Sequence, residues 1–224
     1  MEQKSIALDG PTAAGKSTLA RRAAKHFGLV YVDTGALYRC IAYHALKNGQ
    51  DPKDETGVAK LLPGIQLEIL YDDSGLQRML LSNKDVTDLI RTPEISICAS
   101  NISALPPVRE FLLSTQREMA IKYNVIMDGR DIGTVVLPMA GLKVFITAET
   151  SVRAKRRYIE LQEKGIETTL EEVEKDLIMR DRNDSSRATA PLRIAEGAVI
   201  LDTTDMDFEE SFEKLCDLIV RKGV

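Results

Sequence analysis

The sequence predicts an α/β protein: a five-stranded parallel sheet flanked by helices, interrupted by a small antiparallel β insert. Three observations support this prediction. Five short apolar runs of strand length are separated by helical stretches, a pattern typical of parallel sheets. Residues 65–86 instead alternate apolar and polar side chains around a turn cluster, as antiparallel hairpins do. With 224 residues, 44% of them hydrophobic, the chain is long enough to bury one sizeable core.

The first elements predict a strand–helix–strand unit. An apolar run at 5–8 is followed by a glycine-rich turn and a helix from Ser17 to about Phe27, whose apolar residues fall on one face. Gly28 lies where a glycine often ends a helix, and the apolar run at 29–32 predicts the second strand. Together they form one βαβ unit, the building block of a parallel sheet.

The middle of the chain changes character. The alternation at 65–86 predicts a small hairpin or a three-stranded patch, with its turn at 72–75. Pro93 suits the first turn of a short helix. The patch is therefore expected to be an insert in an otherwise α/β chain. The helices around it are expected at 35–48, from 93 to before 106, and at 108–123.

The α/β pattern returns toward the end of the chain. Thr169 has Glu172 three residues on, as in a capping box, and Ser151 is a second expected helix cap. The remaining elements are expected at 125–128, 143–146 and 198–201 for strands and at 208–221 for the last helix.

The composition argues against several classes of protein. A formal net charge of −4 argues against a nucleic-acid coat, which usually has a basic surface. No apolar run approaches the roughly 18 residues of a membrane span, and the first residues lack the form of a signal peptide. Three widely spaced cysteines without a CxxC pair favour reduced thiols. We therefore expect a cytoplasmic protein that binds neither nucleic acid nor membranes.

One segment is a complete phosphate-binding motif, or P-loop. Gly10-Pro11-Thr12-Ala13-Ala14-Gly15-Lys16-Ser17 matches G-x-x-x-x-G-K-[ST], between a predicted strand and a predicted helix. The glycines let backbone N–H groups turn toward phosphate oxygens, and the helix start adds its positive dipole end. Lys16 is expected to reach the β- and γ-phosphates, and Ser17 to offer its hydroxyl to Mg²⁺. Asp128, which ends an apolar strand, is expected to hold the same ion or its waters.

The arginines favour a kinase among the P-loop classes. A GTPase would need N-K-x-D, and the closest string, Asn83-Lys84-Asp85-Val86, lacks the final Asp. A non-catalytic nucleotide sensor stays open, but it would not explain why seven of the 16 arginines fall between Arg153 and Arg193. Guanidinium groups pair with phosphates and stabilise a transferring phosphoryl group. An acceptor that is itself a phosphate would need no general base.

Four segments together resemble the bacterial cytidylate kinase family. They are Asp9 to Thr18, Asp33-Thr34-Gly35-Ala36-Leu37-Tyr38-Arg39, Asp128-Gly129-Arg130-Asp131-Ile132-Gly133-Thr134, and Arg180 to Arg187. The resemblance covers essentially the whole chain and implies a P-loop kinase fold. It implies transfer of the ATP γ-phosphoryl group to CMP or dCMP with Mg²⁺. Within one domain, 1–224, it implies a core of about 1–34, 108–150 and 188–224, a monophosphate-binding insert at about 35–107 and an arginine-rich lid at about 151–187.

The resemblance also assigns roles to individual residues. ATP is expected to contact Arg157 and the P-loop residues Gly10, Pro11, Thr12, Ala13, Ala14, Gly15, Lys16, Ser17 and Thr18. Catalytic roles fall to Lys16, Arg130, Arg180 and Arg187. The acceptor phosphate is assigned to Thr34, Arg39, Arg130 and Arg187, the base to Ser100, Arg109 and Asp131, and the sugar to Arg180 and Asp184, with Asp33 beside them.

The chemistry of cytosine supports this division. A carboxylate at Asp131 would accept from the exocyclic amine, while a guanidinium at Arg109 would donate to N3 and O2. Uracil has a carbonyl where cytosine has the amine, so two acceptors would face each other. A site built on such hydrogen bonds discriminates strongly.

Structural alternatives stay open for several of these residues. The alternatives are a turn cap for Asp131, an ordinary helix serine for Ser100 and a solvated helix end for Arg180. Other acceptors, such as UMP, AMP or shikimate, are the alternative within the kinase class. A monomer is expected, because no apolar helix face stands out as exposed. For Arg153, Arg156 and Arg157, which share one predicted helix, a solvated face is the alternative to a contact with ATP. Arg182 is open as a solvated helix end, and Arg193 has no assigned partner.

Overall fold

The computed structural model describes residues 4–73 and 75–224. Its strands are β1 (Ser5–Asp9), β2 (Val30–Asp33), β3 (Leu67–Tyr71), β4 (Gln77–Leu81), β5 (Lys84–Asp85), β6 (Val125–Gly129), β7 (Leu142–Thr147) and β8 (Val199–Asp202). Its α-helices are α1 (Lys16–Phe27), α2 (Thr34–Lys47), α3 (Glu55–Leu61), α4 (Pro93–Ile102), α5 (Pro106–Lys122), α6 (Thr150–Glu163), α7 (Leu170–Ser186) and α8 (Phe208–Lys222). A π-helical turn at Ile132–Val136 follows β6.

The larger sheet has five parallel strands in the order β2-β6-β1-β7-β8, which confirms the predicted α/β class. In its register, Asp128 of β6 lies opposite Leu8 of β1 and Asp33 of β2. Because the strands are parallel, the carboxyl ends of β1, β2 and β6 meet at one edge. Asp33 and Asp128 are therefore direct neighbours where the P-loop leaves the sheet, and Asp9 lies one residue further along, opposite Gly129.

The smaller sheet is antiparallel and has three strands, β3-β4-β5, so the predicted insert is confirmed as a three-stranded patch. The predicted turn at 72–75 includes Ser74, which lies outside the described residues. Helix α3 is not predicted by the sequence. It has seven residues and begins where the Asp54 side chain accepts from the Gly57 N–H, too short a segment to show a helical apolar period.

Apolar side chains fill both faces of the larger sheet. On one face, Ile6 packs with Leu19 of α1 and Leu215 of α8. On the other face, Val32 and Met127 belong to a second cluster. The strand ends and the P-loop therefore rest on a buried, layered support.

Two further clusters hold the outer parts of the chain. One joins the insert to its helices, through Leu37 of α2, Met79 of β4 and Ile102 of α4. A smaller one, with Ala154 of α6 and Leu177 of α7, packs these two helices together. The predicted boundaries of core, insert and lid stay a prediction.

The two predicted helix caps differ in outcome. Thr169 forms the predicted capping box, since its hydroxyl accepts from the Glu172 N–H and the Glu172 carboxylate accepts from the Thr169 N–H. Ser151 as a cap is wrong, because α6 begins one residue earlier and Glu149 is the residue before it. The Glu149 N–H donates to the Thr204 hydroxyl at 3.0 Å, a tertiary contact that fixes where the helix starts.

The first three residues belong to the predicted core and to the segment without signal-peptide character. They lie outside the described part of the chain. Within 4–73 and 75–224, no helix combines the length and the apolar character needed to cross a membrane.

Candidate active site

The P-loop folds around Lys16 at the carboxyl edge of the larger sheet. Gly10 has φ +148°, and a Cβ there would lie 1.9 Å from the carbonyl oxygen of Ile146, so only glycine lets the loop pass this close to β7. Gly15, with φ +86°, turns the chain into α1. The Lys16 Nζ donates to the Pro11 carbonyl oxygen at 2.6 Å. The loop thus encloses the ammonium group that the motif predicts.

Lys16 is buried, with 5% of its surface exposed. The pKa of Lys16 is lowered from 10.5 to about 7. Burial is the largest cause and the positive charge of nearby Arg130 the second, while the carboxylates of Asp128 and Asp9 act in the opposite direction. An anion close to Nζ would favour the charged form and restore the charge. The electrostatics of the loop therefore suit a phosphate ligand.

Asp128 and Ser17 lie together, as predicted. The Ser17 hydroxyl donates to one Asp128 carboxylate oxygen at 2.6 Å, and the Tyr31 hydroxyl donates to the other at 3.0 Å. Burial, and then repulsion by Asp33, raises the pKa of Asp128. Tyr31 is a site residue that sequence reasoning missed, because in the sequence it is one more residue of an apolar strand.

The oxygen atoms of Ser17 and Asp128 suit Mg²⁺. This ion prefers oxygen ligands and is usually bound by one or two protein groups together with phosphates and water. Among the described residues, no group of three or more His, Cys, Asp or Glu side chains could hold a metal. The residues present therefore fit Mg²⁺ as a companion of a bound nucleotide rather than as a permanent metal centre.

Asp33 ends β2 and caps α2. Its carboxylate accepts from the Ala36 N–H at 2.9 Å and from Arg39 Nη2 at 2.8 Å, and Arg91 Nη2 lies 3.1 Å from the same oxygen as Arg39. Burial would raise the pKa of Asp33, but the guanidinium groups of Arg39 and Arg91 hold it below its usual value. The Gln77 side chain also hydrogen-bonds the Asp33 backbone. Sequence reasoning missed Arg91 and Gln77, because they are distant from Asp33 in the sequence and contact it only in the folded chain.

Asp131, Arg109 and Arg187 form a buried cluster at the other end of the site. Arg109 pairs with one Asp131 carboxylate oxygen, and Arg187 Nη2 lies 3.5 Å from the other. Burial raises the pKa of Asp131, while Arg109 and Arg187 lower it. Ser103 joins them: its carbonyl oxygen accepts from Arg109 at 3.0 Å and its hydroxyl from Arg187 at 3.3 Å. Ser103 was missed because nothing marks it in the sequence.

Three predicted site residues present buried polar atoms without a partner. In the part of the chain that is described, the Ser100 hydroxyl, the Arg39 Nε and the Arg180 Nε lack a hydrogen bond. Burial, followed by the neighbouring Arg157, lowers the pKa of Arg180. Unpaired buried polar atoms are unfavourable, and all three atoms belong to residues that line the adjoining cleft.

Arg130 bridges the P-loop and α7. Its Nε donates to the Asp184 carboxylate at 2.7 Å, and its Nη2 donates to the Thr12 hydroxyl at 2.6 Å. Although burial opposes it, the Asp184 charge raises the pKa of Arg130. The structure thus brings together three residues that were predicted from three separate motifs.

Arg153 and Arg156 are engaged by the chain itself. Arg153 donates to the carbonyl oxygens of Ala148 at 2.9 Å and Thr12 at 3.0 Å, and pairs with Asp181 of α7 at 2.7 Å. Arg156 donates to the hydroxyl oxygen and to the carbonyl oxygen of Thr203. The solvated face considered for these two residues is therefore wrong, and Arg153 joins the P-loop to α7.

We expect Arg153→Ala to lower the free energy of unfolding by about 3 kcal/mol, because it leaves Asp181 and two carbonyl oxygens without their donor. Arg182→Ala is the matched control: Arg182 lies on the same pair of helices but is exposed, and we expect a change within about 0.5 kcal/mol. Urea unfolding of both variants measures the difference. Equal losses would contradict the role of Arg153.

The remaining arginines between Arg153 and Arg193 have simpler surroundings. Arg157 pairs with Glu160 at 2.8 Å on α6 and lines the cleft, as its predicted ATP contact requires. Arg182 and Arg193 are exposed, which for Arg182 agrees with the solvated helix end.

One cleft of about 890 Å³ connects these groups. It extends from the P-loop, past Asp128 and Arg130, to Asp131 and Ser100. Its lining includes eleven basic and six acidic side chains, in a chain whose net charge is −4. Sequence reasoning missed one part of the wall, which comprises Thr203, Met206, Asp207, Phe208 and Ser211.

Known proteins resemble this chain over nearly its full length. The family model described as cytidylate kinase matches residues 6–221. A protein of Carboxydothermus hydrogenoformans named Cytidylate kinase is 47% identical over 97% of this chain and 98% of its own length. One of Alkaliphilus oremlandii with the same name is 44% identical over the full length of both chains. A crystal structure of an uncharacterized Eubacterium ventriosum protein has a TM-score of 0.52 at 11% identity, covering 97% of this chain and 99% of the other, a likeness of fold alone. The chain therefore belongs to the cytidylate kinase family and is a nucleoside monophosphate kinase.

Proposed function

We propose that this protein transfers the γ-phosphoryl group of ATP to CMP or dCMP, with Mg²⁺, and produces ADP and CDP or dCDP. An oxygen of the acceptor phosphate forms the new bond to the γ-phosphorus, and the bond between that phosphorus and the β,γ-bridging oxygen breaks. The acceptor oxygen is already ionised, so the reaction needs no general base.

The observation that carries the proposal is the single cleft that joins the P-loop to the Asp131–Arg109 pair. A phosphate site and a base-sized hydrogen-bonding site at opposite ends of one cleft suit two nucleotides that meet at their phosphates. Proximity of this kind accounts for much of the rate in phosphoryl transfer.

The base site supports cytosine. Asp131 would accept from the exocyclic amine, while Arg109 would donate to N3 and O2. The buried Ser100 hydroxyl, which has no partner within the described chain, would gain one from the base. Because both charged groups are buried, a base that leaves one of them unpaired would bind poorly.

The acceptor phosphate would exchange partners with carboxylates of the chain. Arg39 and Arg130 are paired with Asp33 and Asp184, so a phosphate would take over guanidinium groups that are already oriented. Thr34 directly follows Asp33 in the chain, and its hydroxyl donates to the Asp128 carbonyl oxygen at 2.8 Å. The roles of Arg187 in phosphate binding and of Arg180 and Asp184 at the sugar are proposed on the same basis.

The donor would lie on the P-loop. Lys16 would neutralise charge on the β- and γ-phosphates, and Arg157 would contact ATP from α6. Ser17 and Asp128 would hold Mg²⁺, which supplies charge neutralisation between the phosphates when bound. Closure of the lid at about 151–187 would exclude water, and Arg130, Arg180 and Arg187 would stabilise the transferring group.

The test is a coupled assay of ADP release with ATP against CMP, dCMP, UMP, AMP and GMP. We expect kcat/KM for CMP and dCMP to exceed the others by at least about 10²-fold, because a site built on buried hydrogen bonds rejects mismatched bases. Preference for UMP or AMP would contradict the base assignment. Release of ADP without any monophosphate would favour a nucleotide-hydrolysing or regulatory protein.

The cellular compartment and the oligomeric state of the protein are proposals too. All three cysteines are unpaired, which supports a reducing, cytoplasmic setting. A monomer without nucleic-acid or membrane partners stays a prediction.

A further inference from the structure

Asp9 is a buried carboxylate that neither the P-loop motif nor the base site includes. It is the last residue of β1 and directly precedes Gly10, and 3% of its surface is exposed. Its two carboxylate oxygens accept from the backbone N–H groups of Ile132 and Gly133, each at 2.7 Å. Both of its oxygens are therefore used to hold a segment that lies far along the chain.

The segment it holds is the turn that begins at Asp131. The Asp131 carbonyl oxygen accepts from the N–H groups of Val135 and Val136, at 2.9 and 3.2 Å, which closes the π-helical turn. The first N–H groups of any helical turn lack partners within it. Here Asp9 supplies those partners from a neighbouring strand, so the backbone of Asp131 is fixed on both sides.

The fit around this contact is close. A Cβ on Gly133 would lie 3.3 Å from an Asp9 carboxylate oxygen and 3.1 Å from Ala195 Cβ. The turn is thus pressed against Asp9 and has little room to shift. Any change at Asp9 is expected to move the residue that starts the turn.

The buried position of Asp9 makes the ionised form of its carboxylate unfavourable. Burial raises the pKa of Asp9 to about 6, and the Asp131 charge adds to this, while the two backbone N–H groups and Lys16 lower it. Two short N–H bonds require both carboxylate oxygens as acceptors. An amide, with one oxygen and one NH₂ group, would satisfy only one of them.

We propose that Asp9 is a positioning residue for base selection: it fixes the Asp131 turn so that the Asp131 carboxylate faces Arg109 and the acceptor base. The inference rests on the proposed function. It also links the two halves of the site, because the residue that holds the base-reading turn directly precedes the phosphate-binding loop.

The test compares Asp9→Asn with Asp202→Asn. Asp202 also ends a strand of the same sheet, and its carboxylate accepts from the Thr204 N–H and hydroxyl, but it is exposed and does not line the cleft. For Asp9→Asn we expect KM for CMP to rise by about 10-fold or more and the CMP-to-UMP ratio of kcat/KM to fall by about 10-fold, the usual scale for removing a supporting partner of a binding group. KM for ATP should change by less than about 3-fold. Asp202→Asn should alter none of the three.

A double variant separates positioning from a general loss of structure. In an Asp131→Ala background, Asp9→Asn should not change the CMP-to-UMP ratio further, because the group it positions is absent. If Asp9→Asn does not fold, Gly133→Ala displaces the same contact from the other side and should lower the ratio in the same direction. An unchanged ratio in the folded variant, or an additive loss in the double variant, overturns the proposal. If the wild type shows no preference for CMP, the proposed function itself fails, a result that the wild-type assay reveals independently of the variants.

Discussion

Lys16→Met is expected to lower kcat by at least about 10³-fold while the fold stays intact, because it removes only the buried ammonium group that is proposed to contact the transferring phosphates. Lys16 Nζ lies 2.6 Å from the Pro11 carbonyl oxygen, inside the P-loop, and methionine fills similar space without charge. The coupled assay measures kcat, and circular dichroism measures the fold. Lys25→Met is the matched control, since Lys25 is an exposed residue of the same helix and should retain full activity. A tenth or more of wild-type activity in Lys16→Met would contradict the site assignment.

The same variant has a pH signature in the absence of nucleotides. Because the pKa of Lys16 falls from 10.5 to about 7 on folding, the unfolded chain binds more protons than the folded chain between these values. The free energy of unfolding therefore rises with pH from about 7 to 10.5 through Lys16. Below pH 7 the buried charge of Lys16 destabilises the folded state to its full extent. Lys16→Met should be stabilised relative to wild type most strongly below pH 7, as urea unfolding at several pH values would measure.

Asp131→Ala is expected to lower kcat/KM for CMP by about 10² to 10³-fold and that for UMP by less than about 10-fold, because only cytosine presents an amine to this carboxylate. The assay is the coupled assay with both monophosphates. Asp131→Asn should give an intermediate preference, since its amide offers an acceptor and a donor in place of two acceptors.

The matched control for Asp131 is Asp85→Ala. Asp85 also pairs with an arginine, Arg78, but both side chains are exposed in the insert. Its loss should leave the CMP-to-UMP ratio unchanged. Equal losses on CMP and UMP in Asp131→Ala would show that Asp131 does not read the amine.

The fold could be predicted where its signals are local. The five apolar runs, the P-loop glycines and the Thr169–Glu172 capping box each occupy neighbouring positions, and each is present in the structure. The start of α6 could not be predicted in this way, because it depends on a contact between Glu149 and Thr204. Helix α3 was missed for lack of length.

The candidate site was predictable to the extent that its residues lie in compact motifs. Ser17 and Asp128 were predicted from motif positions, and the Ser17 hydroxyl oxygen lies 2.6 Å from an Asp128 carboxylate oxygen. Arg153 and Arg91 differ, since an arginine in a sequence does not show whether its partner will be a ligand or a carboxylate of the chain. Their partners, Asp181 and Asp33, meet them only after the helices and strands have packed.

At the end of each proposed cycle, ADP and CDP must leave a cleft lined by eleven basic and six acidic side chains. Attraction to so many cations would by itself retain the products. Asp33 and Asp184 lie within hydrogen-bond distance of Arg39 and Arg130, so in the proposed cycle each carboxylate would pair again with its guanidinium group as a product phosphate withdraws. No guanidinium group would then be left buried without a partner. In that cycle the two carboxylates would compete with the phosphate for the arginines and so favour release of the products.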